Sequence, residues 1–448
     1  MFSFDDEVSV SKSDKFKSKV QFPKASERHR KSPYPMIPAT EATEIILRDT
    51  ITLRHQFVAI KDSFGYILYE DVIAEEPYPP FPASIKDGYA VLTDDTTEIR
   101  KVVGIVTPGG HLDFHLQPGQ CVRVSTGSAI PDQSDAVIQV EDTTIIEDDD
   151  EGNEVCIKIL KQVEKRYQDI RPVGSDILKG EVLIPKYHKV SAADIGVMVT
   201  CGIQTISVFQ KPVVSLLSTG DELLEPGTPL IPGYIRDCNR TSLEFMLYEN
   251  RISMFDVGIA RDTPDDIKCK LVSAFEMSDV VITTGSVSMG EKDILKQVLE
   301  TDFKATIQFA RINMKPGKPT TFSTAYVDGV KKYVFSLPGN PVSAFVCFYL
   351  FVIPCIKKLM GFNEPMHKTI KVQLAHDIKL DERPEYHRAC LVCNEEGVFM
   401  ASSTGPQQSS RLLSLQNAHA LLLLPPRTSS CTVLEAGSKV EAILVKPI

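Results

Sequence analysis

The sequence predicts an α/β protein carrying smaller all-β modules, and three observations lead there. In the second half, the apolar runs "PVVSLLSTG", "ISMFDVGIA", "SDVVITTG" and "KYVFSLPGN" alternate with helical stretches such as "NRTSLEFMLYEN" and "DDIKCKLVSAFEM". Strands separated by helices indicate a parallel sheet covered on both faces. From about Phe81 to Gly174 short alternating segments follow one another instead ("GYAVL", "KVVGIV", "QCVRVSTG", "DAVIQVED", "EVCIKIL"), the pattern of a small β unit. After about Gly361 short strands return ("KTIKVQLAHDI", "ALLLLPP", "KVEAILVK"), a second β unit.

Taken in order, residues 1–32 are rich in Lys and Ser with little apolar periodicity, and read as a disordered tail. From Pro38, "ATEATEIILRDTI" reads as a helix with Ile45, Ile46 and Ile51 turned inward and Thr40 as its cap. Four prolines within Pro77–Pro82 bar a helix or central strand and predict a stiff extended connector. "IEDDDEGNE" (146–154) reads as a solvated hairpin tip. The apolar run Val342–Ile356 is too short to span a bilayer and holds Pro354, so it reads as a helix buried against the sheet.

Composition narrows the function. The chain has 448 residues, 43% apolar and 24% charged, as in globular proteins of several domains. Its net charge of −10 argues against a general binder of nucleic acid or anionic membrane. Met1–Ser11 holds three acids and no apolar leader core, so the ten scattered cysteines read as reduced thiols of a cytoplasmic protein. Cys390 and Cys393 form the single C-x-x-C, on a strand-like stretch where residues three apart face opposite ways, which disfavours zinc. No Ser-His-Asp or Cys-His arrangement is legible, so covalent catalysis has no support.

In an open parallel sheet, ligands gather at the carboxyl ends of the strands. Here those ends are small-residue turns: "STGDE" (218–222), "GIARD" (258–262), "TTGSVS" (283–288) and "LPGNPVSA" (337–344). Gly and Ser admit a phosphate to the backbone, and the next helix offers free N–H groups. Glu222, Asp262 and Asp293 then fall near one rim, where Mg²⁺ held by carboxylates and ligand phosphates suits them. Acids at helix starts are also favoured by the helix dipole alone. "NMKPGKPTTF" places Lys315 and Lys318 around a Pro-Gly turn, either solvated or set to receive an oxyanion. In the β module, Asp87 and Thr126 lie in Gly/Pro-bounded turns, Asp87 also being suited to an Asx turn with Gly88.

These residues carry a resemblance. "PPFPASIKDGYAV", "VRVSTGSAIP", "SDAVIQVED", "DIRPVGSDI", "STGDEL", "IRDCNR", "GSVSMGEKD", "MKPGKPTTF", "LPGNPVSA", "RPEYHR" and "STGPQQSSRL" resemble, in order, the gephyrin E domain and the molybdopterin molybdenumtransferases, over about Ser32–Ile448. The resemblance implies an elongated homodimer of four-subdomain subunits. These would be an α/β molybdopterin-binding-like subdomain (33–60 and 212–363), a linking subdomain (61–80 and 175–211) and β subdomains at 81–174 and 364–448. It implies insertion of molybdate into adenylylated molybdopterin with release of AMP, and a separate adenylyltransferase as a possible partner.

By the same resemblance, Asp87 and Thr126 of one subunit would face the catalytic Glu222, Asp262 and Asp293 of the other, these three holding Mg²⁺, and Asp176 matches a further catalytic acid of the pattern. Ser218, Thr219, Gly220, Asp237, Asn239, Thr284, Gly285, Ser286 and Ser288 would line the pterin and phosphate site. Lys315, Lys318, Arg388 and Ser409 would take molybdate and phosphate, with Pro338, Gly339, Asn340 and Pro341 shaping the "LPGNP" turn. Three positions depart from the family pattern: Ser286 for a glycine, Ala129 for a proline and Cys238 for Ser or Thr. A scaffold of the gephyrin kind is the alternative, although Thr40 and Thr43 stand where its receptor pocket has an acid and an aromatic ring. A generic nucleotide-binding α/β protein would explain the sheet but neither the β modules nor the two-lysine turn.

Overall fold

The computed structural model describes residues 16–20, 33–110, 115–285 and 294–446. Two compact units emerge, one of residues 1–54 with 209–448 and one of 55–208.

The first unit is built on a six-stranded sheet: β1 (Val213–Thr219), β2 (Ser253–Ala260), β3 (Val280–Thr284), β4 (Thr306–Phe309), β5 (Thr321–Val327) and β6 (Val330–Leu337), in the spatial order β2-β1-β3-β6-β5-β4. The first four are mutually parallel, and β5 and β4 are added antiparallel at one edge. Alternation along each strand sends side chains to two cores. Val214, Leu216, Val280, Ile282, Phe335 and Leu337 join one, and Leu217, Val281 and Val334 the other. Helices α1 (Ala39–Asp49) and α2 (Asn239–Glu249) feed the first core; α3 (Pro264–Met277) and α4 (Ile294–Asp302) cover the second.

The apolar run expected to be a buried helix is one. Pro341–Leu359 is long and apolar enough to cross a membrane, yet 83% of its apolar window is buried in the fold. It comprises α5 (Pro341–Cys347), a wide π-type turn (Phe348–Val352) and α6 (Ile353–Leu359). Pro354 lacks an N–H and its ring would strike the carbonyl one turn back, so the wide turn stands just before it. A closed barrel follows, of β7 (Thr369–Leu374), β8 (Glu385–Cys393), β9 (Phe399–Ser403), β10 (Ala420–Leu424) and β11 (Lys439–Leu444). Cys390 lies 3.6 Å from His419 Nδ1 while Cys393 is exposed, and all ten cysteines are free.

The second unit contains a six-stranded sheet running from Gly88–Val91 to Glu154–Ile159, with apolar clusters on both faces. It also holds a smaller part with the helix Ala192–Thr200, whose start is tied by Ser191 and Asp194. Strand His55–Ala59, which the sequence reading gave to the α/β part, pairs instead with Thr205–Phe209. Helix α1 ends at Asp49 with Thr50 already extended, and His55–Ala59 continues as a strand.

Three local expectations change. Helix α1 begins directly after Pro38 with no side-chain cap, so Thr40 lies inside it. Ile51, beyond the helix end, is 60% exposed, because the chain leaves helical geometry at Thr50 and the helical period no longer applies. Residues 16–20, within the expected disordered tail, rest on α3 and α4, held by side chains of Asp265 and Asp302.

Candidate active site

Register brings the parallel strand ends into one line: Thr219 faces Ala260, Ser218 faces Thr284, and Thr284 faces Leu337. Chain order reverses between β1 and β3, since β2 lies on one side of β1 and β3 on the other. A crevice opens at such a point. Its floor is backbone. Gly285 has φ +92°, and a Cβ there would stand 2.2 Å from the Thr219 carbonyl oxygen, so only glycine fits. Ser218 Oγ and Thr284 Oγ1 lie 2.9 Å apart, and Thr219 Oγ1 donates to the Thr284 carbonyl at 3.2 Å.

The acids hang from the rim. A Cβ on Gly220 would come within 2.6 Å of Glu222 Oε2, so the glycine makes room for that carboxylate. The Asp262 N–H donates to Asp221 Oδ1 at 3.1 Å and Arg261 Nη1 to the Asp221 carbonyl at 3.0 Å, stitching the two acidic turns together. Asp293, Ser286 and Ser288 lie outside the described residues. Among the described residues no three His, Cys, Asp or Glu side chains gather as a metal cage. Two hard oxygen donors on adjoining turns still fit Mg²⁺, which uses one or two carboxylates and completes its shell with water and phosphate.

Asp237 shapes the start of the helix that follows it. Its Oδ1 accepts the N–H groups of Asn239 and Arg240 at 3.1 and 3.2 Å, starting α2. Buried Arg240 binds Asp237 at 3.2 Å, Asp256 at 2.7 Å and also Glu225. Asn239 Nδ2 then reaches the Gly339 carbonyl at 2.8 Å, fixing the "LPGNP" turn in which Pro338 is buried and Asn340 and Pro341 open α5. The three-acid grip on Arg240 was not foreseen, because its partners are scattered from 225 to 256.

A second cluster joins the two-lysine turn to the barrel. Lys315 Nζ lies 3.2 Å from Asp381 and 3.3 Å from Glu385, so it is paired rather than solvated. Glu385 is 3% exposed. Burial raises its pKa, but His387 at 3.3 Å and Lys315 outweigh that and hold it below the ordinary value. Burial lowers the pKa of Arg388, on the same strand, to about 10 against the opposing pull of Glu385. Arg388 donates to Ser414 Oγ at 3.3 Å and to the Gln408 carbonyl at 3.2 Å, while its Nη1 is buried without a hydrogen-bond partner among the described residues. An orphaned buried donor costs about 1–3 kcal/mol and marks a place for an acceptor. Lys318 has no acidic partner among the described residues. Ser409 is seated by the Val342 N–H, which donates to its carbonyl at 3.1 Å at the start of α5. Gly317 permits the turn: a Cβ there would sit 2.5 Å from Cys347 Sγ. Asp381 and Glu385 escaped the sequence reading because no local pattern links them to a lysine some seventy residues earlier.

In the second unit, Asp87 Oδ1 accepts the Thr126 N–H at 2.9 Å, so these two predicted residues meet. Asp87 therefore bridges two loops rather than closing an Asx turn on Gly88. Gly88 has its own reason: a Cβ would stand 2.0 Å from the Ile138 carbonyl oxygen. Asp176 pairs with Arg171. A cavity of about 530 Å³ in the first unit touches the candidate site only at Asn239 and Pro341; its other walls include Phe245, Phe345, Tyr349 and Leu413.

The first unit thus combines a doubly wound sheet, a switch-point crevice with an acidic rim, and a cluster of charged side chains around Lys315 and Arg388. Family models match in sequence along the chain: the MoeA N-terminal region (domain I and II) over residues 37–202, a probable molybdopterin binding domain over 215–358, and the MoeA C-terminal region (domain IV) over 371–445. Gephyrin of Dictyostelium discoideum is 40% identical over 94% of this chain, and the molybdenum cofactor synthesis protein cinnamon of Drosophila melanogaster 37% over 91%. The chain spans 64% and 65% of those two proteins. The molybdopterin molybdenumtransferase of Bacillus subtilis is 31% identical, with 92% of this chain and 94% of that protein covered. A molybdopterin biosynthesis MoeA protein from Pyrococcus horikosii superposes with TM-score 0.77 at 28% identity, covering 92% of this chain and all of that one. The chain belongs to the molybdopterin molybdenumtransferase (MoeA) family.

Proposed function

We propose that this chain inserts molybdate into adenylylated molybdopterin and releases AMP, yielding molybdenum cofactor. The observation that supports this most is the pairing, in one unit, of a backbone-floored crevice with a charged cluster holding a buried orphan donor, Arg388 Nη1. Gly285, Thr284, Ser218, Thr219 and Gly220 receive pterin and phosphate, with Asp237 and Asn239 bracing the turn opposite. Arg388, Lys318 and Ser409 receive the oxyanion, and Lys315 joins them by exchanging an acidic partner for it. Glu222 and Asp262, with Asp293, orient the oxygen nucleophile that attacks the adenylate phosphorus; the pyrophosphate bond breaks and AMP leaves. Mg²⁺, held by those acids, would neutralise charge on the phosphates.

The working form is a cytoplasmic homodimer in which Asp87, Thr126 and Asp176 of one subunit complete the site of the other. Phe245 and Leu413, 61% and 67% exposed beside the apolar cavity, are features of the first unit that support association. The scaffold reading has less support: Thr43 is buried and its hydroxyl is taken by the Ala39 carbonyl at 3.0 Å. The test is AMP release from adenylylated molybdopterin by the purified chain. Release that requires both molybdate and Mg²⁺ is expected; binding without release would overturn the transferase and leave a carrier or scaffold.

A further inference from the structure

The segment Phe16–Val20 is held on the first unit by a dense set of bonds around one hydroxyl group. The Ser18 N–H donates to Asp265 Oδ1 at 2.7 Å, and its hydroxyl donates to Asp302 Oδ2 at 2.6 Å. The Lys19 N–H reaches Asp302 Oδ1 at 3.1 Å. Lys268 Nζ donates to the Lys17 carbonyl at 2.5 Å and pairs with Asp302 at 3.2 Å. Val20 adds apolar contact with the core beneath α3 and α4. The Asp302 side chain is fully covered, so its charge depends on these donors.

From this we infer that Ser18 is a phosphorylation site whose modification releases the segment from α3 and α4. Lys15, Lys17 and Lys19 surround Ser18, a flank that suits a serine kinase with an acidic substrate groove. The γ-phosphoryl of ATP passes to Ser18 Oγ. A new O–P bond forms, the bond from the γ-phosphorus to the bridging oxygen breaks, the hydroxyl proton goes to the kinase base, and ADP departs. The product carries about two negative charges and no donor. It would have to face Asp302 and Asp265, and Lys268, the cation docked between α3 and the segment, already serves Asp302, while the flanking Lys17 and Lys19 are exposed. Docking and modification therefore exclude one another, and the kinase acts on the undocked fraction. The switch needs none of the transfer chemistry proposed above.

The experiment treats the full chain with ATP and the catalytic domain of protein kinase C, a kinase selective for basic flanks. Phosphate is located by mass spectrometry, and hydrogen exchange follows the amides of residues 16–20. The expected result is phosphate on Ser18, with exchange at Ser18 and Lys19 faster by about tenfold or more, as befits the loss of two charge-assisted hydrogen bonds. Asp302→Asn and the milder Asp265→Asn should each speed modification severalfold by raising the undocked fraction. Phosphate on Ser18 with unchanged amide protection would overturn the inference. So would modification confined to other serines, or failure to modify Ser18 in the wild type and both variants.

Discussion

The strand-end crevice and the lysine–barrel pocket lie in the same unit and prepare for charge in opposite ways. The crevice is made of backbone: Gly285 and Gly220 bring the chain close, and hydroxyls of Ser218, Thr219 and Thr284 bond to one another or to carbonyls. Its floor is set by sheet register and by glycines at which a Cβ would collide. The pocket is made of side chains from distant segments, with Lys315 held between Asp381 and Glu385. Lys315 is balanced by those carboxylates, so an oxyanion entering as proposed would compete with them. A site can thus be rigid by steric necessity in one half and exchangeable by electrostatics in the other.

Breaking the rigid half should have the largest effect. Gly285→Ala places a Cβ where no atom fits, at a φ that L-residues avoid, and should cost about 3 kcal/mol or more. AMP release should fall by about a hundredfold or more, because misplaced floor atoms misalign the phosphates. Chemical denaturation and turnover check the two parts. Normal stability with normal turnover would show that the floor yields, and the contrast between the halves would be lost.

The exchangeable half should separate its two lysines. Lys315→Ala takes one cation from Asp381 and Glu385, which keep Arg383 and His387, and should destabilise the chain by about 1–2 kcal/mol, less than a broken fully buried pair because Lys315 is part-exposed and the acids retain partners. Lys318→Ala, which strands no carboxylate among the described residues, should stay within about 0.5 kcal/mol of wild type while weakening molybdate binding about tenfold. Urea titration and molybdate binding on both variants decide this. Equal stability losses would remove the distinction.

A pH series sharpens the same point. Asp381 and Glu385 both titrate below their ordinary values, despite burial, because of Arg383, Lys315 and His387. Groups depressed in the folded state add stability that is present above their unfolded pKa, about 4, and is lost as pH falls through the folded value. Wild type should therefore lose stability in acid more steeply than Glu385→Gln below about pH 4. Parallel curves would show that the Glu385 charge contributes nothing to the joint.

What the sequence made legible follows from range. The four strands with their small-residue ends, the buried helix at Val342–Ile356 and the barrel strands are local patterns, and all are present in the structure. The glycines at 220, 285 and 317 could be seen as turn formers, but which atom each would strike depends on packing. Partners of Lys315 and Arg240 could not be read, since ion pairs across scattered segments leave no periodic trace. Ile51 misled because a helical period was carried past the helix end, and Ser18 because a polar tail offers few apolar signals even where acids await it.

The most direct test of the central claim is AMP release by Glu222→Gln and Asp262→Asn, measured beside thermal unfolding. Release should fall by about a hundredfold or more in each, with melting unchanged, since both acids stand on the rim outside the core. Undiminished release in both variants, at unchanged stability, would contradict it.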